Sequence, residues 1–198
     1  MGSYHHGNLR PALVEAAVGL AQASGPEGVV LREVARQTGV SHNAAYRHFA
    51  DRDELLSEVA LAAMQQLSAA MSVELAGVVE TEPAARAVAR LRATGRAYVH
   101  FALAQPGLFD VAFAGHRSPP EVAPEAADPY ALLGLVLDEL ALAGAVSAGR
   151  REGAEVLCWS AVHGFAVLHL HGPLRDVPAQ EREDSLEQLL DQIQRGLV

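Results

Sequence analysis

The chain has 198 residues, half of them apolar, and a formal net charge of −9. That is enough to bury a sizeable core, and a single cysteine, Cys158, excludes both an intramolecular disulfide and a thiolate zinc cluster. The longest apolar stretches, such as 131–146, are broken by Asp138, Glu139 or glycine, short of the roughly 20 residues a membrane span needs. The N-terminus carries no export-signal pattern, so a cytoplasmic globular protein with no membrane partner is expected.

Charge is segregated along the chain. Residues 1–50 carry Arg10, Arg32, Arg36 and Arg47 against Glu15, Glu27 and Glu33, a net +1 that leaves −10 on the rest. Any affinity for nucleic acid therefore depends on where the arginines sit rather than on their total.

Leu9, Leu13, Ala16 and Leu20 recur at helical spacing up to Gly25-Pro26, which predicts a first helix over about 8–23. Leu31, Val34, Ala35 and Thr38 make a short second helix that ends at Gly39, and Ser41 caps a third over 42–49. Asp51 and Glu54 form a capping-box-like start for a long helix to about Gly77. Thr81-Glu82-Pro83 opens a helix to Ala104, and a short apolar helix follows over 108–114. Pro119, Pro120, Pro124 and Pro129 interrupt what comes next, predicting a loop able to act as a lid. Three more helices are expected over 129–143, 150–171 and 179–197. No segment alternates as a strand would, so the fold is expected to be all-α with about nine helices.

The most informative stretch runs from Leu31 to Phe49. Two short helices crossing steeply need a small residue at their contact and a turn residue that tolerates positive φ; Ala35 and Gly39 are placed for both. With Val34, Val40, Ala45 and Phe49 inward, the second helix presents His42, Asn43, Ala44, Tyr46 and Arg47 outward, as a recognition helix in a major groove does. Asn43 can pair bidentately with adenine, and Arg47 and Arg32 can reach guanine or phosphate. Ser41, Tyr46, His48 and Arg52 suit phosphate contacts. His5 and His6 read as a solvated arm, near the DNA backbone at most.

These residues carry a resemblance. Residues 9–59 resemble the tetracycline-repressor (TetR) family through Val34-Ala35, Gly39-Val40-Ser41, Tyr46-Arg47-His48-Phe49 and Arg52. Val30 departs from the family's frequent phosphate-binding Thr, and Arg52 replaces its usual Lys. The resemblance implies that Arg32, Ser41, His42, Asn43, Ala44, Tyr46, Arg47, His48 and Arg52 face operator DNA. Trp159-Ser-Ala-Val-His163-Gly164 and Gln105-Pro106-Gly107-Leu108-Phe109 are similar to elements of one branch of that family, marked by a Trp-x-x-x-His-Gly motif.

Beyond the head, Tyr98, His100 and Phe101, then Phe109 and Phe113, then Trp159 and His163 supply aromatic and polar groups suited to an effector pocket. His100, His163, His169 and His171 lack carboxylate or thiolate companions at ligand spacing, so no metal is expected. No cofactor is implied, and no nucleophile elbow, phosphate loop or metalloprotease helix is present. Leu186, Leu189, Leu190 and Ile193 form one apolar stripe, and Ala161 and Gly164 are small enough for close helix approach; all six are candidate dimer contacts. The resemblance implies a four-helix dimer interface there.

Together these features predict a helix-turn-helix domain over 1–55 and a helical ligand-binding and dimerisation domain over 56–198. The expected function is a homodimeric repressor of a double-stranded operator, released by a lipophilic or aromatic small molecule. An acidic helical scaffold whose helix-turn-helix is purely structural is the alternative, and an enzyme is not expected.

Overall fold

The computed structural model describes residues 9–115 and 128–197. His5 and His6 and the lid assigned to Pro119, Pro120 and Pro124 lie outside the described residues. Among those described there are ten helices and no strand, as the all-α expectation requires: α1 (Leu9–Gly28), α2 (Leu31–Gln37), α3 (His42–Tyr46), α4 (Arg52–Ala76), α5 (Pro83–Ala104), α6 (Pro106–Phe113), α7 (Pro129–Leu142), α8 (Ala148–Arg151), α9 (Ala154–Leu170) and α10 (Ala179–Leu197). The tenth helix arises because the segment expected as one helix over 150–171 is broken. Gly153 adopts φ 73°, a left-handed conformation that ends the short α8 and lets α9 start in a new direction.

The chain divides into two compact units, residues 1–64 with 105–126 and residues 65–104 with 127–198. The division falls inside α4, and α6 belongs to the first unit.

In the first unit, α1 is interrupted at Gly25, with φ 66° and Pro26 behind it, where the sequence predicts a stop. Leu13, Ala17, Ala21, Val34, Ala45, Phe49, Leu55, Leu56 and Val59 are fully buried and form the core. Burial of each large apolar side chain contributes about 1.5–3 kcal/mol. α6 packs on α1 through Gly107, so tightly that a Cβ there would lie 2.0 Å from the Ala21 carbonyl oxygen. The turn into α4 is capped reciprocally. Asp51 accepts from the Glu54 amide at 2.8 Å, and Glu54 accepts from the Ala50 amide at 2.7 Å.

In the second unit, α7, α9 and α10 all pack on α5. The start of α5 is capped by Glu82: its carboxylate accepts from the amides of Ala84 and Ala85, at 3.1 and 2.6 Å. α10 is joined to α5 by ion pairs, with Arg92 on Glu187 (2.5 Å) and Asp191, and Arg96 on Glu187 (2.6 Å). These groups are partly exposed, which limits each pair to about 1 kcal/mol or less. The tie is mainly apolar, since Leu186, Leu190, Ile193 and Leu197 are buried.

By length and composition alone α4 is apolar enough to cross a membrane, contrary to the expectation that no segment would be. Its later turns carry Ala, Met, Ser and Gln with a single charge, Glu74, between Glu58 and Ala76. Its first turns carry Asp53 and Glu54 as well as Glu58, and these begin in the head.

Candidate nucleic-acid interface and ligand cavity

α2 and α3 are joined by Thr38, Gly39, Val40 and Ser41. Gly39 takes φ 69°, the conformation for which a glycine was expected there, and Ala35 is buried at the helix contact. The Ser41 hydroxyl accepts from the Ala44 amide at 3.2 Å and caps α3 as predicted. With Ala45 and Phe49 buried beneath, the side chains of His42, Asn43, Tyr46 and Arg47 are exposed, as is Arg32 on α2. His42 and Tyr46, one turn apart, stack edge to face with ring centroids 4.6 Å apart, so the outward surface of α3 is partly ordered by its own side chains. Val30, which replaces the family's Thr, is exposed immediately before α2.

Three assignments change. Ala44 is buried, because the short α3 turns its side chain toward the core rather than outward. Arg52 is turned inward: it donates to the carbonyls of Val29 and Pro26, at 2.8 and 2.5 Å, and so holds the turn between α1 and α2. α3 is also shorter than the expected 42–49, since Arg47 caps it and His48 is half-buried. The sequence pattern missed Arg10 altogether. Its guanidinium lies over the Phe49 ring, 4.3 Å from the centroid, donates to the His48 carbonyl and pairs with Glu54 at 3.2 Å and Glu58 at 2.7 Å.

The second unit contains a cavity of about 20 Å³ lined by Met71, Leu91, Arg92, Thr94, Gly95, Tyr98, Leu133, Cys158, Trp159, Val162, Leu190 and Ile193. It has room for roughly one water molecule, against the roughly 300 Å³ or more that a drug-sized ligand fills. The site is small and apolar. Its polar members are already engaged. The Tyr98 hydroxyl lies 2.8 Å from His163 Nδ1, and the Thr94 hydroxyl donates to the Arg90 carbonyl at 2.9 Å. Burial raises the Tyr98 phenol far above its ordinary range and raises the Cys158 thiol to about 11, so both stay protonated. Burial lowers the His163 imidazole, which favours its neutral form. A protonated phenol donating to Nδ1 of a neutral imidazole matches both protonation states.

Of the residues expected to form a pocket, Tyr98 and Trp159 line this cavity and His163 supports Tyr98. Tyr98 and Tyr130 both pack against Trp159, at centroid distances of 5.0 and 5.5 Å. His100 is exposed and bonds Glu183 at 3.0 Å on the outside of the bundle, because it follows Tyr98 by two residues and points away from it. Phe101 is buried but outside the lining. Phe109 and Phe113 pack on each other, 4.9 Å apart, on α6 in the first unit, where α6 is held against α1. The signal missed in the sequence was the helical spacing of Leu91, Thr94 and Tyr98 on α5 and of Leu190 and Ile193 on α10.

The expected self-association stripe also divides. Leu186, Leu190 and Ile193 are buried within the chain and pack inside the bundle, while Leu189 is half-buried. Ala161 and Gly164 lie on a different line, between the exposed Leu157 and Leu168 of α9, and a Cβ on Gly164 would meet nothing within 4 Å. No group of three or more His, Cys, Asp or Glu suited to a metal ion occurs among the described residues.

Residues 13–59 match the family model for bacterial regulatory proteins of the tetR family, and residues 91–193 match that of the tetracyclin repressor-like C-terminal domain. The chain belongs to the TetR family. It is thus a DNA-binding transcriptional regulator with a ligand-binding C-terminal domain. A solved structure of a protein of unknown function from Rhodococcus sp. RHA1 is 30% identical to this TetR-family chain over 100% of it and 99% of its own length, with a TM-score of 0.79. Two further structures share the fold. The TetR family transcriptional regulator PfmR from Thermus thermophilus is 22% identical with a TM-score of 0.60, covering 94% of this chain and 98% of that one. A TetR variant from Acinetobacter baumannii AYE in complex with minocycline is 18% identical with a TM-score of 0.64, covering 93% of each. No curated protein matches the sequence.

Proposed function

We propose that this TetR-family regulator is a cytoplasmic homodimeric repressor that reads a palindromic operator and is released by a neutral, lipophilic or aromatic effector. Residues 1–55 do the reading and residues 56–198 the sensing and dimerisation, and the chain is not an enzyme. The observation that carries the reading is the surface of α3: His42, Asn43, Tyr46 and Arg47 exposed over a fully buried Ala45 and Phe49, with Gly39 and Ser41 fixing the turn and cap. In this reading Asn43 and Arg47 contact base edges. Arg32, Ser41, His42, Tyr46 and His48 fix the register on phosphates.

Dimerisation is assigned to the outer face of α9, where Leu157, Ala161, Gly164 and Leu168 make a small-residue stripe with exposed leucines at its ends. Two-fold symmetry would hold two α3 helices roughly 34 Å apart, or a multiple of it, to match two half-sites. On the strength of Trp159, His163 and Gly164 the chain is assigned to the Trp-x-x-x-His-Gly branch. Because the cavity holds only about 20 Å³, an effector has to bind a state in which it is wider, and it releases DNA only as far as it prefers that state.

The reading is tested by titrating an operator selected from genomic DNA with the wild type and with Arg32→Ala/Arg47→Ala. A loss of at least about 2 kcal/mol is expected from two base or phosphate contacts. Unchanged binding would favour a scaffold whose head is structural.

A further inference from the structure

The head contains a charged cluster that neither base reading nor effector binding uses. Arg10, near the start of α1, reaches two separate pieces of chain. Its guanidinium covers the face of Phe49, donates to the carbonyl of His48, and pairs with Glu54 and Glu58 on the first two turns of α4. Glu54 is itself fixed, since its other oxygen accepts from the Ala50 amide. His48 and Phe49 immediately follow the cap of α3. The cluster therefore ties the C-terminal end of the recognition helix to α4. On the opposite side of the first turn of α4, Arg52 holds the carbonyls of Pro26 and Val29, just ahead of α2. Two arginines thus fasten the helix-turn-helix to one short stretch of α4.

We infer that Arg10, through Glu58 and the His48 carbonyl, is a positioning residue for operator reading: it sets the attitude of α3 on α4 without contacting DNA. The inference rests on the repressor reading above. A planar guanidinium that meets a ring face, a carbonyl and two carboxylates at once fixes their mutual angles, which a flexible ammonium does not. A change in the first turns of α4 is then passed to α3 rather than absorbed in the turn between them.

The test uses a charge argument of opposite sign. Glu58→Gln removes a negative charge from the DNA-binding head; if electrostatics alone mattered, it would tighten binding to any DNA. The latch predicts the reverse for the operator. Full-length wild type, Arg10→Met, Glu58→Gln and the double variant are compared by fluorescence anisotropy on the selected operator and on a scrambled duplex of equal length, at several salt concentrations. Circular dichroism establishes that each is folded. Arg10→Met keeps an unbranched apolar stem over Phe49, and Glu58→Gln keeps the shape of the glutamate while removing the charge that pairs with the guanidinium and replacing one acceptor oxygen by an NH2 donor.

The expected result is a weakening of operator binding by about tenfold in each single variant, the size of effect seen when one partly buried interaction is lost. The double variant should be no weaker than the worse single one, because both substitutions break the same latch. Binding to the scrambled duplex and the salt slope should be unchanged. Tighter or unaltered operator binding by Glu58→Gln overturns the inference. So does an Arg10→Met variant that loses operator and scrambled duplex equally with a salt slope smaller by about 1, which would make Arg10 a phosphate ligand. A wild type that selects no site defeats the repressor reading itself, and is told apart by failing before any variant is compared.

Discussion

The Tyr98 hydroxyl and His163 Nδ1, 2.8 Å apart beside the cavity, form a hydrogen bond between α5 and α9 in which the phenol donates to a neutral imidazole. Burial lowers the His163 pKa from its ordinary 6.5. The folded state therefore takes up a proton less readily than the unfolded state in the window just below 6.5, and stability rises with pH across that window. The stabilisation is fully present above pH 6.5 and diminishes as pH falls toward the lowered folded value. Thermal melts of the wild type should thus lose stability as pH falls below 6.5. His163→Gln should flatten that part of the profile, and an unchanged slope in this variant would remove His163 as its source.

Leu190 was expected at the dimer face but is a wall of the cavity, with only 3% of its surface exposed. Leu190→Ala should cost about 2–5 kcal/mol in urea unfolding, as truncation of a buried leucine does, and should leave the dimer dissociation constant nearly unchanged once the folded fraction is accounted for. An increased affinity for small apolar molecules is expected to accompany it, read as quenching of Trp159, the chain's one tryptophan and a residue of the same wall.

Gly164 should show the converse behaviour. A Cβ fits there without touching the rest of the chain, so Gly164→Ala should leave the monomer as stable or up to about 1 kcal/mol more stable, and Gly164→Leu adds bulk on that outer face. If the outer face of α9 is where two copies meet, the same substitution blocks close helix approach. Sedimentation should then show mostly monomer at concentrations where the wild type is dimeric, together with loss of operator binding.

Gly107 is the position at which α6 seats on α1. A methyl group there would be driven to 2.0 Å from the backbone oxygen of Ala21 and 3.1 Å from Gly25 Cα, and neither can rotate away. Gly107→Ala should therefore destabilise the head by about 3 kcal/mol or more, at the upper end of overpacking effects. An early, separate melting step is expected in calorimetry, and a variant as stable as the wild type would contradict this packing.

Much of the head was legible in the sequence because its signals are local. Gly39, Ser41, Asp51 and Glu54 act on residues within four positions, and the structure gives each the role that its neighbours imply. The break at Gly153 was missed because a lone glycine with no proline beside it does not by itself end a helix, and a glycine's φ is not written in its spacing. Ala44 and Arg52 were misplaced for a related reason. The first is small enough to sit on either side of a five-residue helix, and the second is turned inward by carbonyls more than twenty residues away. Arg10 was invisible on the same ground, since its partners lie 38 to 48 positions further along the chain. In the second unit, periodicity located the apolar faces of α9 and α10. It could not tell which face packs inward, because that depends on how α5, α7, α9 and α10 pair.

Sequencing genomic fragments retained by the purified protein, followed by titration of the best site with wild type and Asn43→Ala at two salt concentrations, tests the central claim most directly. The account predicts one enriched palindrome, bound in the nanomolar range and more weakly as salt rises, with Asn43→Ala losing about 1–3 kcal/mol and discriminating less at one adenine in each half-site. Weak, sequence-indifferent binding that Asn43→Ala leaves unchanged would contradict it.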